Sequence, residues 1–147
     1  MIKYLQFFLF LLLFSCNTYS EDQLKDFDTT IKTFLNQKKI ECIASESGLY
    51  FKIEEQGEGT RIHAKDRISF TYKGTLIDGN VFDEQTEPVT FAVIELIGAW
   101  KEIVLKLNEG GKAFLVAPPQ LGYGSRSLNK IPPNSILVYT LKVHRVE

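Results

Sequence analysis

The chain has 147 residues, 44% of them hydrophobic, which suffices for one folded domain and an appendage but not for two full domains. Its 17 basic side chains against 18 acidic ones leave a net charge of −1, so there is no basic field for nucleic acid and no strongly charged partner is implied. The two histidines, His63 and His144, stand apart from any Cys, Ser or carboxylate motif, which argues against a metal centre or a triad.

Residues 1–15 read MIKYLQFFLFLLLFS, where Lys3 is a short positive region and Tyr4 to Phe14 an apolar run too short to span a bilayer. The ending Leu13-Phe14-Ser15-Cys16 is similar to a bacterial lipobox, in which the Cys becomes the new N-terminus and carries acyl chains. The expectation is a signal peptide over 1–15 and a lipidated Cys16 that makes the membrane a partner and the bacterial cell envelope the location. At roughly 0.8 kcal/mol per buried methylene, two or three acyl chains anchor a protein far more firmly than one. An ordinary signal peptide with an incidental Cys is the bland alternative. Cys42 is the other thiol; it reads as an inert residue, with a mixed disulfide as the alternative in an exporting compartment.

Residues 16–43 form the next unit. Asn17 to Asp22 is a polar tether, and Leu24, Phe27, Ile31, Phe34 and Leu35 recur at helical spacing, predicting an amphipathic helix of about 18 residues that ends near Lys38-Lys39. Such a helix packs on its own domain or spaces it from the membrane; two heptads are few for a coiled coil, so a dimer arm is the lesser alternative.

The folded domain is expected over 44–147. Leu49, Phe51 and Ile53 alternate with Tyr50, Lys52 and Glu54, a strand that stops at Gln56-Gly57-Glu58-Gly59. No helix follows these glycines, so they mark a turn and not a phosphate cradle. Ile68, Phe70 and Tyr72 share one face of the next strand. Asp78-Gly79 then predicts a type I′ hairpin turn, which places Gly74 opposite Asp83 and makes Tyr72 and Asp83 diagonal neighbours, the phenol donating to the carboxylate. Val89 to Val93 reads as a strand, Ile94 to Leu107 as a helix stopped by Gly110-Gly111, and Ala113 to Ala117 as a strand stopped by Pro118-Pro119. A long loop from Pro118 to Asn134 precedes a last strand with Leu137, Tyr139, Leu141 and Val143 on one face. The class is α+β: about five antiparallel strands curved around one short helix, with the amphipathic helix ahead of them.

Conventional catalytic groups are scarce. Ser125 lacks a nucleophile elbow, and no cofactor is implied. The chain is instead rich in aromatics and hydroxyls placed between apolar positions. Any single one reads as core, yet Trp100 is the lone Trp and Asp83 a charge among apolar neighbours.

Four stretches carry a resemblance: Phe70 to Asp83 (FTYKGTLIDGNVFD), Leu96 to Trp100 (LIGAW), Leu121 to Gly124 (LGYG) and Ile131 to Tyr139 (IPPNSILVY). In this order, over roughly Gly48 to Glu147, the chain resembles the FK506-binding-protein class of peptidyl-prolyl isomerases. The resemblance implies that fold and noncovalent isomerisation of X-Pro bonds in polypeptides. It implies Trp100 as pocket floor, Phe82, Leu96, Ile97 and Tyr139 as apolar walls, and Ile131 closing one side. Tyr123 would donate to the substrate carbonyl, and Tyr72 and Asp83 would form the bonded pair. Phe82 and Asp83 can both face the pocket only where the strand bends. Val89 stands at the family's aromatic wall, which implies weak binding of macrolide-type inhibitors; Ala99 and Lys65 replace customary glycines. The segment from Phe91 to Leu96 is about two residues short, and the loop between Tyr123 and Ile131 about one, leaving the loop aromatic or His matched by Ser127 or Leu128. A noncatalytic chaperone module and an accessory lipoprotein of a gliding or secretion machine are the rival readings.

Overall fold

The computed structural model describes residues 19–147; the expected signal segment and Cys16 lie outside the described residues. In chain order come α1 (Glu21–Lys38), β1 (Ile43–Ala44), β2 (Tyr50–Glu55), β3 (Arg67–Leu76), β4 (Val81–Ala92), α2 (Gly98–Val104), β5 (Lys112–Ala117) and β6 (Leu137–Val146). The strands form one antiparallel sheet in the order β1-β2-β5-β6-β3-β4.

Helix α1 has the predicted length because both ends are closed by their own residues. The Ser20 hydroxyl accepts from the Gln23 N–H while the Gln23 side chain accepts from the Ser20 N–H, a capping box. At the other end Lys39 takes a left-handed conformation, φ 55°, and the Ile40 N–H donates to the Leu35 carbonyl. The apolar face packs on its own domain: Ile31, Leu35, Phe27 and Phe34 lie against Tyr50, Val116, Ile136 and Val138. Tyr50 also donates to Asp28 at 2.5 Å, and Asp28 pairs with Lys32 at 2.7 Å. Helix α2 covers the other face of the sheet, where Trp100, Ile103 and Val104 join Phe51, Phe70, Leu115, Tyr139 and Leu141 in the main core.

Three local expectations are corrected. The hairpin turn is not type I′: among these residues only Gly79 has a positive φ, 94°, while the Asp78 carboxylate accepts from the Asn80 N–H and holds Asp78 in ordinary backbone space. The loop is therefore Ile77-Asp78-Gly79, closed by the Leu76 N–H on the Asn80 carbonyl. The helix predicted from Ile94 begins only at Gly98. Val93–Glu95 is a 3-10 turn in which Glu95 accepts from the Ala92 N–H, and Leu96 and Ile97 are extended before the Ile97 carbonyl receives the first helical N–H groups. Strand β4 is longer than expected and runs through Pro88, which an edge strand tolerates because the missing N–H faces no partner.

Candidate active site

Two irregularities in the β3–β4 ladder build the site. Gly74 pairs with Asp83 and Thr75 with Val81, so Phe82 is left unpaired in a bulge. In a regular strand Phe82 and Asp83 would point to opposite faces. The bulge instead lays the Phe82 ring over Gly74 and edge-on to Tyr139, with centroids 5.6 Å apart, while Asp83 accepts from the Tyr72 hydroxyl at 2.5 Å. The second irregularity lies where Phe70 pairs with Val89 and Tyr72 with Gln85, so three residues of β4 bow outward against one of β3.

Between this hairpin, the turn before α2 and the loop after β5 lies a cavity of about 170 Å³, lined by Tyr72, Phe91, Glu95, Leu96, Ile97, Trp100 and Tyr123. An apolar cavity of about 150 Å³ admits benzene, so a prolyl ring fits here. Trp100 is held from three sides: Phe70 at 5.2 Å and 88°, Tyr72 at 4.7 Å and 68°, Tyr139 at 5.0 Å and 79° between ring planes. Edge-to-face packing of this kind adds about 0.5–1.5 kcal/mol per pair beyond burial. The same aromatic box leaves the buried indole N–H without a hydrogen-bond partner among the described residues.

Of the residues singled out in the sequence, Tyr72, Leu96, Ile97, Trp100 and Tyr123 line the cavity. Asp83 joins through its bond to Tyr72 and is solvent-exposed, so it is not the buried charge its apolar neighbours suggested. Phe82 and Tyr139 form a layer behind Trp100, and Ile131 is buried in the same core. Val89 is half-buried against that core and is not among the lining residues; the aromatic wall comes from Phe91, two residues further on the same strand face. Glu95 also lines the cavity and was not anticipated. Phe91 could have been found by continuing the alternation from Val89, whereas Glu95 sits in the unexpected 3-10 turn.

Burial, then the hydrogen bond to Asp83, pushes the Tyr72 phenol well above its ordinary value of 10.0. Tyr139 is pushed up further, chiefly by burial and then by the neighbouring Tyr123 hydroxyl. Both phenols are therefore protonated donors throughout the physiological range. No cluster able to hold a metal ion occurs among the described residues. The arrangement can desolvate a small apolar ring and offer the Tyr123 hydroxyl as a donor to a carbonyl beside it, the Tyr72 proton being committed to Asp83; it holds no nucleophile paired with a base.

The profile of FKBP-type peptidyl-prolyl cis-trans isomerases matches residues 58–144. The FKBP-type peptidyl-prolyl cis-trans isomerase FkpA of Buchnera aphidicola (subsp. Schizaphis graminum) is 38% identical over 117 residues, 77% of this chain and 46% of that protein. FkpA of Escherichia coli K12 is 37% identical over 113 residues, 75% of this chain and 41% of that protein, so the chain spans less than half the length of these curated relatives. The crystal structure of FkpA from Escherichia coli superposes with a TM-score of 0.74 at 34% identity, covering 86% of this chain and 62% of that one. A peptidyl-prolyl isomerase from Pseudomonas syringae gives 0.71 at 26% identity, covering 88% and 96%. With the family profile matched across the cavity, the bulged hairpin and the closing strand, the chain belongs to the FKBP-type peptidyl-prolyl cis-trans isomerase family.

Proposed function

We propose that this protein is a peptidyl-prolyl cis-trans isomerase that assists the folding of exported or envelope proteins. The observation that carries the reading is the cavity floored by Trp100 with the Tyr72–Asp83 pair and Tyr123 at its edge. Rotation about an X-Pro bond faces a barrier of about 18–20 kcal/mol and takes tens to hundreds of seconds unaided. A turnover of about 10 per second requires lowering that barrier by about 4 kcal/mol, within reach of desolvation and one or two hydrogen bonds. The planar amide is more dipolar than the twisted one, so an apolar pocket disfavours the ground state. In this mechanism the prolyl ring rests on Trp100 between Phe91 and Ile97, and Tyr123 donates to the carbonyl preceding it. Tyr72 and Asp83 hold the hairpin edge of the site, while Phe82, Tyr139 and Ile131 fix the floor from behind.

The test is relaxation of a short X-Pro peptide from cis to trans with the full chain at substoichiometric concentration. Acceleration is expected, and Tyr123→Phe should reduce it by the ~0.5–1.5 kcal/mol of one neutral hydrogen bond. An unaltered relaxation rate would favour a noncatalytic binding module.

The protein is further proposed to be held at the bacterial cell envelope by acyl chains on Cys16. The apolar run that ends there supports this, as does the closeness in sequence of Tyr19, which is packed into the fold. From Cys16 to Tyr19 an extended chain spans at most about 11 Å, so an acylated Cys16 would hold the domain close against the bilayer. Mass spectrometry of mature protein should show acylation that Cys16→Ser abolishes; an unmodified Cys16 on a chain retaining residues 1–15 would sink the anchor.

A further inference from the structure

Tyr19 immediately precedes the cap of α1, yet it is 7% exposed. Its ring packs edge-to-face on Phe27, centroids 5.3 Å apart at 86°. Its hydroxyl donates to the Asn134 side-chain oxygen at 2.8 Å, across 115 residues of sequence. Asn134 in turn sits in the left-handed region, φ 60°, and its backbone N–H donates to the Gly124 carbonyl at 2.9 Å. The Gly124 N–H donates to Pro119 at 2.9 Å, and a Cβ on Gly124 would lie 3.7 Å from the Tyr19 oxygen. These bonds draw together the two ends of the loop from Pro118 to Asn134, and Tyr123 is the residue next to Gly124. Residues 125–130, at the loop's tip, are all exposed.

We infer that Tyr19 is a positioning residue for the isomerase site: its hydroxyl latches the loop that carries Tyr123 to the N-terminal helix. The inference rests on the isomerase reading and adds to it a residue that touches neither cavity nor substrate. A hydrogen-bond donor acts on a developing transition state only when held within a fraction of an ångström of its position; Ile131 anchors the far side of the loop in the core, and the Tyr19 bond adds a side-chain tie at its neck, next to Tyr123. Asn134 has no intrinsic need of Tyr19, because Asn tolerates this backbone conformation unaided. The bond therefore couples the segment ahead of α1 to the orientation of Tyr123.

The experiment is a double-mutant cycle in the full chain. Tyr19→Phe keeps the ring on Phe27 and removes the hydroxyl; it should lower turnover about threefold, as one neutral hydrogen bond would, with KM for the peptide unchanged. In a Tyr123→Phe background the same change should have no effect, because the group being positioned is gone. Asn134→Gly, which keeps the left-handed conformation, should reproduce the loss. An equal loss from Tyr19→Phe in both backgrounds would mean a general structural effect and overturn the inference, as would an active protein indifferent to Tyr19→Phe. An inactive parent protein would instead contradict the isomerase reading itself, and this role with it.

Discussion

A methyl group at Gly74 would meet Phe82 Cζ at 2.5 Å and Tyr139 Cε1 at 2.8 Å, both of them rings locked against each other. Neither can yield without tilting the support of Trp100. Gly74→Ala is therefore expected to cost about 1–3 kcal/mol of stability, as overpacking does, and to lower isomerase activity along with it; thermal unfolding and the peptide assay check both. Phe91 and Val89 make a second contrast. Removing a few tens of Å² of apolar contact at roughly 25 cal/mol per Å² weakens a bound ring by about 1 kcal/mol. Phe91→Ala should thus weaken a proline-ring ligand about fivefold, while Val89→Phe leaves its affinity unchanged in titration calorimetry. The tyrosines set the pH dependence. Because Tyr72 and Tyr139 hold their protons above the ordinary 10.0, the stability they contribute is fully present below pH 10 and lost as pH rises through the folded-state values. Unfolding scans should accordingly show an alkaline decline that Tyr72→Phe and Tyr139→Phe reduce, with no transition from either group between pH 6 and 9. Most cavity residues were legible in the joint order of the motifs. Phe91 follows from the alternation through Val89; what the sequence hides is the outward bow of β4 at residues 86–88, which sets where that alternation begins.

At the scale of elements, periodicity succeeded where one period runs uninterrupted between closed ends. Helix α1 is the clearest case: the stripe through Ile31 and Leu35 and the Lys38-Lys39 end were legible, whereas Ser20 to Asp22, read as tether, form its cap and first turn. Apolar spacing continued just as smoothly from Ile94 to Leu107, yet that stretch divides into a 3-10 turn, two extended residues, a seven-residue helix that ends at Val104 and a closing turn. Side-chain spacing does not reveal that Glu95 takes the Ala92 N–H. Strand β1, two residues long, is too short to have a period. The packing of α1 gives this scale its prediction. Ile31 is fully buried between helix and sheet, so Ile31→Ala should destabilise the whole domain by about 2–5 kcal/mol in one cooperative transition. Were α1 a spacer, the melting temperature would not move.

For the molecule as a whole, the sheet has a helix on each face, and the two serve different ends. Helix α2 and the bulged hairpin build the cavity; α1 backs the strands that carry Tyr139 and, through Tyr19, reaches the loop of Tyr123. The class and the single curved sheet were readable from alternation and turn residues, whereas the face covered by α1 was not, since an amphipathic stripe does not name its partner. In the proposed function this cavity twists an X-Pro amide without covalent chemistry. The most direct measurement is two-dimensional NMR exchange on an X-Pro peptide with a small fraction of protein present. Cis-to-trans and trans-to-cis rates are expected to rise by the same factor, with the isomer ratio unchanged. Exchange rates left at their uncatalysed values, with peptide resonances shifted only by binding, would contradict that function.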